Sequence, residues 1–366
     1  MQEQTTSTLK DITDRVGWRL ARQLLSTELG ITAVGLEPFI DRFRQLSATN
    51  DEAEAFVSGV WQSLILSGNR LVKLYKLESQ ELLAIQSSLG TLQTEDNAFT
   101  QSYPIPLSKE QLLVADNDLH FVENVTTLID EKQVDTTILT SKAYYTQIIE
   151  LNAAHLSDEG LELKANGGEI KCKTRDITQC FNTIMVIPSE NVLVLTVDLS
   201  VLPRTESARQ QFLVERFVRD LTGINLPSPL DLFGLVQELY EQQDGRISRM
   251  AFITSDGNTS SLTLKPGQSC LRNDSYHHGG ESASPILTKF KIGKIWDLQI
   301  GASQSRSVEL VLPGKRAMID KPNSHLYEAS IEKCTTIEDV VLVIKKMLVS
   351  LESIVQKRRT SAETTQ

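Results

Sequence analysis

The chain reads as an α+β protein in which an N-terminal helical domain precedes two antiparallel-sheet units with flanking helices. Three observations carry that expectation. Apolar residues at three- and four-residue spacing crowd the first hundred positions, strand-like runs separated by Gly-, Asn- and Pro-containing turns fill much of the rest, and a long amphipathic stretch closes the sequence. At 366 residues the chain exceeds the size at which one core usually keeps growing. Three domains are therefore expected, at 1–100, 101–223 and 224–366.

In the first domain, Leu9, Ile12, Val16, Leu20 and Leu24 predict one helix over 8–28, with Thr8 as its cap and Gly30 as its stop. Further helices are predicted at 36–46 and 51–66, the second opened by Asn50 with Asp51 and Glu52 in its first turn. Arg70 to Leu77 then favours a short strand, and a helix follows at 79–90. The polar stretch TEDNAFTQSYPIP marks the first border.

Residues 108–155 are expected to be mainly helical, because Tyr144, Ile148, Leu151 and His155 fall on one helical face. Gly160–Ala165 and Glu169–Thr174 alternate apolar and charged residues around Asn166-Gly167-Gly168, which predicts a tight hairpin. Strands at 181–187 and 191–199 and a helix at 204–221 complete the unit, with Gly223 and the Pro-Ser-Pro at 227–229 closing it. The final third predicts a helix at 230–243, a hairpin with strands 246–254 and 259–264, strands at 286–302 and 306–312, and a helix from 337. This order suggests two units of helix, four-strand meander and helix. A long polar segment, 266–285, lies between the strands, where functional insertions concentrate.

Composition narrows the classes of function. Hydrophobic residues at 40% and charged residues at 23% match ordinary globular usage, so real cores are expected. A net charge of −10 argues against a surface coated by nucleic acid. No window approaches a membrane-spanning length of apolar residues, and the N-terminus lacks the pattern of a secretory leader. Cys172, Cys180, Cys270 and Cys334 show no CxxC spacing and are expected to be buried or idle thiols in a reducing compartment, so the expected location is cytoplasmic. Phosphate-binding P-loops, GxGxxG, GxSxG and HExxH motifs are missing from the sequence.

Three constellations bear on chemistry. Glu162 and Lys164 on the predicted hairpin, with Asp198 at the end of an apolar strand, fit the carboxylate–lysine pattern by which metal-dependent nucleases bind Mg²⁺ and orient water; the competing account is an exposed hairpin face with cross-strand ion pairs. His277, His278 and Glu281 in the polar segment offer metal ligands or a general base, against an account as plain exposed loop. Arg70, Lys73 and Lys76 follow the helix at 51–66 in the order of a winged helix, but Asp51, Glu52 and Glu54 sit where such a helix would approach phosphate. Along the last helix, Leu351, Ile354 and Val355 form an apolar surface suited to self-association.

With no motif for chemistry and two expected sheets offering surfaces, the expected function is a non-catalytic binding or adaptor subunit of a cytoplasmic multiprotein assembly, needing no cofactor. Its partners would be proteins or further copies of itself, with no membrane. The alternatives are a hydrolase or nuclease using a divalent metal, and a DNA-binding regulator acting through the N-terminal helices.

Overall fold

The structure, a computed structural model, describes residues 2–265, 267–275, 277, 279, 287–300, 304–319, 321 and 323–363. Four helices open it: α1 (Gln2–Val16), α2 (Trp18–Leu29), α3 (Leu36–Ser47) and α4 (Asp51–Leu66). The helix expected over 8–28 is two helices. Gly17 sits at φ 78°, a left-handed conformation that interrupts the helical path and turns α2 away from α1. Asn50 caps α4 as the sequence indicates, its side chain accepting from the Glu52 N–H.

The chain then builds β1 (Gly68–Lys76), α5 (Ser79–Gly90), α6 (Ala98–Ser102), α7 (Lys109–Val114), β2 (His120–Ile129), β3 (Lys132–Glu150), α8 (Asp158–Ala165), β4 (Lys171–Ile187), β5 (Val192–Asp198) and α9 (Ala208–Thr222). After it come α10 (Leu235–Glu241), β6 (Arg246–Thr254), β7 (Thr259–Thr263), β8 (Leu287–Ile300), β9 (Gln304–Leu312), β10 (Ala329–Cys334) and α11 (Ile337–Glu363).

All ten strands among the described residues belong to one antiparallel sheet, ordered β2-β3-β4-β5-β1-β10-β9-β8-β6-β7. The two expected antiparallel units are thus continuous. Their junction is β1, which pairs with β5 along Arg70–Lys76 and with β10 through Arg70↔Ile331 and Val72↔Ala329. The suggested repeat fails on topology as well: β1 is inserted beside β5, whereas β6 lies between β7 and β8.

Two local expectations are overturned. Residues 132–150 form the nineteen-residue β3, because its β-branched Thr137, Ile138, Thr140, Thr146, Ile148 and Ile149 and its two tyrosines suit a pleated surface better than a helix. Glu162 and Lys164 lie on α8, so there is no hairpin at 160–174. Ser157 caps that helix by accepting from the Gly160 N–H, Asp158 and Glu159 occupy its first turn, and the Gly168 N–H donates to the Leu163 carbonyl at 2.8 Å. Asn166-Gly167-Gly168 ends a helix here instead of turning a hairpin, with Gly167 at φ 83°.

Helices cover both faces of the first half of the sheet. On one face α1–α4 pack on Val122, Ile138 and Phe181, while α10 and α11 cover the centre and second half, where Val72, Val194, Ile292, Leu310 and Ile331 meet Val340, Ile344 and Met347. On the other face α5 and α9 cover Tyr75, Ile184, Leu193 and Leu195. Beyond them, β6, β9 and β10 carry an ion network: Arg249 pairs in bidentate fashion with Glu332, and Lys333 Nζ lies 2.6 Å from the buried Glu309. One polar face is what an antiparallel sheet tolerates.

The β1–β10 junction makes the halves interdependent. Ile331→Ala is expected to cost about 2–5 kcal/mol and to lower the melting of both halves together, with the Trp61 and Trp296 signals shifting by the same amount. Separate transitions for the two tryptophans would show that the halves fold independently.

Candidate functional site

The most enclosed polar chemistry lies where α1 meets the end of β5. Asp198 is fully buried. Its Oδ2 accepts from Arg15 Nη2 and from the Phe181 N–H at 3.2 Å, and its Oδ1 accepts from the Ser200 N–H at 3.0 Å. Its own N–H donates to Asn182 Oδ1 at 3.1 Å. Arg15 stacks its guanidinium 5.3 Å from the Trp61 ring and 5.7 Å from the Phe181 ring. Arg70, also fully buried, donates to the carbonyls of Ser67, Phe181 and Ile65. Burial pushes its guanidinium down to about 10 while Asp198 opposes the shift, so Arg70 stays charged at neutral pH.

A cleft of about 600 Å³ opens beside this cluster, lined by Asp11, Arg15, Trp61, Tyr145, Phe181 and Leu202 among others. Asp11 is half-buried there. Burial, reinforced by Asp14 and opposed by Arg15, lifts its carboxyl to about 6. The cleft therefore joins aromatic walls to a carboxyl that titrates near neutrality. Asp198, held by Arg15 and two backbone donors, is a structural anchor with no position for substrate.

The sequence-predicted sites fare differently. Glu162 and Lys164 are exposed on α8, with Lys164 Nζ donating to the Leu151 carbonyl at 3.1 Å, whereas Asp198 lies inside the sheet. The expected nuclease set is not assembled, since its first two members ride on a helix. His277 is fully buried, its Nε2 2.7 Å from Tyr240 Oη and its ring 5.7 Å from that of Phe252. It is a core histidine and not part of an exposed loop; His278 and Glu281 lie outside the described residues. No three His, Cys, Asp or Glu side chains converge as metal ligands among the described residues.

Of the three cations expected to meet DNA, Arg70 is inaccessible, Lys73 pairs with Glu215 at 2.8 Å, and Lys76 is exposed, with its Nζ donating to the Glu190 carbonyl. Leu351 and Ile354 pack partly into the core with α10, leaving Val355 47% exposed. Cys180 and Cys334 are buried, and burial raises both thiols well above the usual range; Cys172 and Cys270 are half-buried, and all four are free. No helix among the described residues is long and apolar enough to cross a membrane.

A feature the sequence did not disclose is an arm. β2 pairs with β3 only as far as Thr140, and β5 pairs with β4 only from Thr183, yet β3 and β4 stay paired out to Glu150↔Lys171. The base of this ribbon is held by its surroundings: Lys109 pairs with Asp176 at 2.7 Å, the Thr146 N–H donates to Glu206 Oε1 at 2.8 Å, and Gln210 of α9 accepts from Ser141 and Asn182. Beyond Thr146 it projects, ending in α8, which buries no residue. Ile148 (57%), Leu163 (61%), Ile149 and Leu161 are exposed on it. The only advance signal was the β-branched content of 146–149.

Neither a protein-family model nor a curated protein sequence matches this chain.

Two outcomes test the cluster and the cleft. Asp198→Ala leaves Arg15 and Arg70 as buried cations without their carboxylate and should cost about 3–5 kcal/mol in denaturant unfolding; a loss below 1 kcal/mol would contradict the anchoring role. Asp11 binds its proton more tightly in the folded state, so its unfavourable contribution is absent below about pH 3.8, grows as pH rises through 6, and is complete above it. Asp11→Asn should raise the melting temperature at pH 7.5 and leave it unchanged near pH 3.5.

Proposed function

We propose that the chain is a non-catalytic binding or adaptor subunit of a cytoplasmic multiprotein assembly, and that the β3–β4 arm is its docking element. The observation that carries this is the arm's mismatch with the rest of the molecule. Among the described residues most large apolar side chains are gathered into five clusters, and exposed ones such as Val34, Leu128 and Val349 are spread over separate elements, while the distal arm brings Ile148, Ile149, Leu161 and Leu163 into solvent together, the last two on a helix that buries no residue. Exposed apolar surface of this kind marks an interaction site. Both strands also end in edges unpaired by any neighbouring strand, which can accept a further strand by backbone hydrogen bonding.

The buttressed base supports the same reading, because it lets a partner's force or orientation pass to the sheet through Gln210, Glu206 and Lys109. The aromatic cleft opens at the foot of the arm, with Tyr145 in its wall and hydrogen-bonded to Asp176 at 3.2 Å, so a docked partner would lie beside it.

Replacing residues 150–171 by Asn-Gly closes the ribbon after the Ile149↔Cys172 pair with a two-residue turn. The shortened chain should keep its melting transition, since nothing in the core is removed, and should leave the large complexes with which the full chain migrates in native extract. Unchanged migration of a well-folded shortened chain would remove the arm as docking element.

A further inference from the structure

We propose that the arm's first partner is a second copy of this chain, the two arms pairing through the outer edges of β3 around a two-fold axis. The inference rests on the arm being the docking element and adds the identity of what it docks. Three features of the arm favour a copy of itself over an unrelated strand.

The first is the position of the open edge. The Thr146 N–H points away from β4, because it donates to Glu206. The two-residue period of a strand then points the N–H and C=O groups of Ile148 and Glu150 outward too. Those two residues are the open stretch of the edge, bounded by Glu206 on one side and by the end of the strand on the other. An antiparallel copy in which Ile148 faces Glu150 of the second chain satisfies both residues in both chains, with no rearrangement of the Glu206 contact. That register places Ile149 against Ile149 on the axis, where opposed side chains come closest.

The second is charge. Lys171, Lys173 and Arg175 point to one face of β4, all exposed, opposite Glu150, Ile148 and Thr146 of β3. The tip, residues 151–170, carries Asp158, Glu159, Glu162 and Glu169 against Lys164 alone. In the two-fold register Glu150 reaches over Ile148 of the second chain toward its Lys173, and each acidic tip runs onward past the second chain's Arg175. The arm is thus complementary to an antiparallel copy of itself, which is the requirement of an isologous interface.

The third is the apolar content. Ile148 and Ile149 lie on opposite faces of the ribbon and both are exposed. Pairing covers them from the edge on both faces at once, which docking on a single face does not.

The test uses the full chain, a basic-strand variant (Lys173→Glu with Arg175→Glu) and an acidic-tip variant (Glu150→Lys, Glu159→Lys and Glu162→Lys), with mass read by light scattering after size exclusion. The native chain should run at twice 40.8 kDa. Each variant alone should be monomeric, because like charges then face each other at both contacts. An equimolar mixture of the two should recover the dimer, since the reversed strand of one variant meets the reversed tip of the other and the native tip meets the native strand. Ile149→Asp, a change at an exposed position that leaves Lys173, Arg175 and the acidic tip in place and sets two carboxylates against each other on the axis, should also give a monomer. Unchanged circular dichroism melting separates lost pairing from lost folding.

A monomeric native chain would overturn the inference while leaving the adaptor proposal to the shortened-arm experiment. A native dimer that survives both charge variants and Ile149→Asp would place the contact on another face, and failure of the mixed variants to pair would remove the charge complementarity on which the register rests.

Discussion

A carboxylate inside a protein must be surrounded by donors or it will not stay charged, and Asp198 is where this fold meets that demand. Its two oxygens collect Arg15 from the first helix, the Phe181 amide from β4 and the Ser200 amide from the turn after β5. Arg70 of β1 lies in the same cluster and closes the carbonyls that end α4 and cross to β4. Helical layer, sheet and the α4–β1 turn are therefore tied at one point. The turn itself is tight: Gly68 stands at φ 73°, and a Cβ there would come 2.6 Å from Ser200 Oγ. Such a cluster contributes little net stability relative to apolar packing, but it admits one arrangement of α1 over the sheet.

That fixed point explains how a long sheet can carry an arm. β1 is a central strand, paired on both sides and buried at Leu71, Val72, Leu74 and Tyr75, so the two halves meet as one body. A second polar anchor secures the far side. Lys294, fully buried, donates to the Leu239 and Gln242 carbonyls at the end of α10 and to Asp244, and although burial alone would raise the Asp244 carboxyl, Lys294, Lys346 and the Trp296 indole hold it down to about 2. With both ends of the core secured, β3 and β4 can run past their neighbours without loosening the sheet that bears them.

The fold was legible wherever a local pattern was also the tertiary one. The caps at Asn50 and Gly30, the largely apolar β5, the β6–β7 hairpin and the last helix each obey a rule that reads in a short window. β10 escaped because ASIEKC mixes charge with apolar residues, its Glu332 serving a cross-strand pair with Arg249 that no local window reveals. Tyr144 and Ile148 suggested a helix because four-residue spacing coincides with an even number of strand positions. At 160–165 the alternation of a strand and the cap of a helix coexisted, and the cap at Ser157 prevailed, while 171–174 opens β4. Of the candidate sites, Asp198 was legible as important but not its role, since Arg15 is 183 positions away. His277 looked exposed in sequence because Tyr240, its partner, precedes it by 37 positions.

Under the proposed function, the β3–β4 arm is the element that engages partners. Hydrogen exchange on the native chain, at high and low protein concentration, tests this most directly. The account predicts added protection at high concentration confined to the arm, around residues 147–150 and 171–175, with β1 and β10 equally protected in both. Added protection centred on α11 or on the β7 edge, with the arm exchanging freely at every concentration, would contradict it.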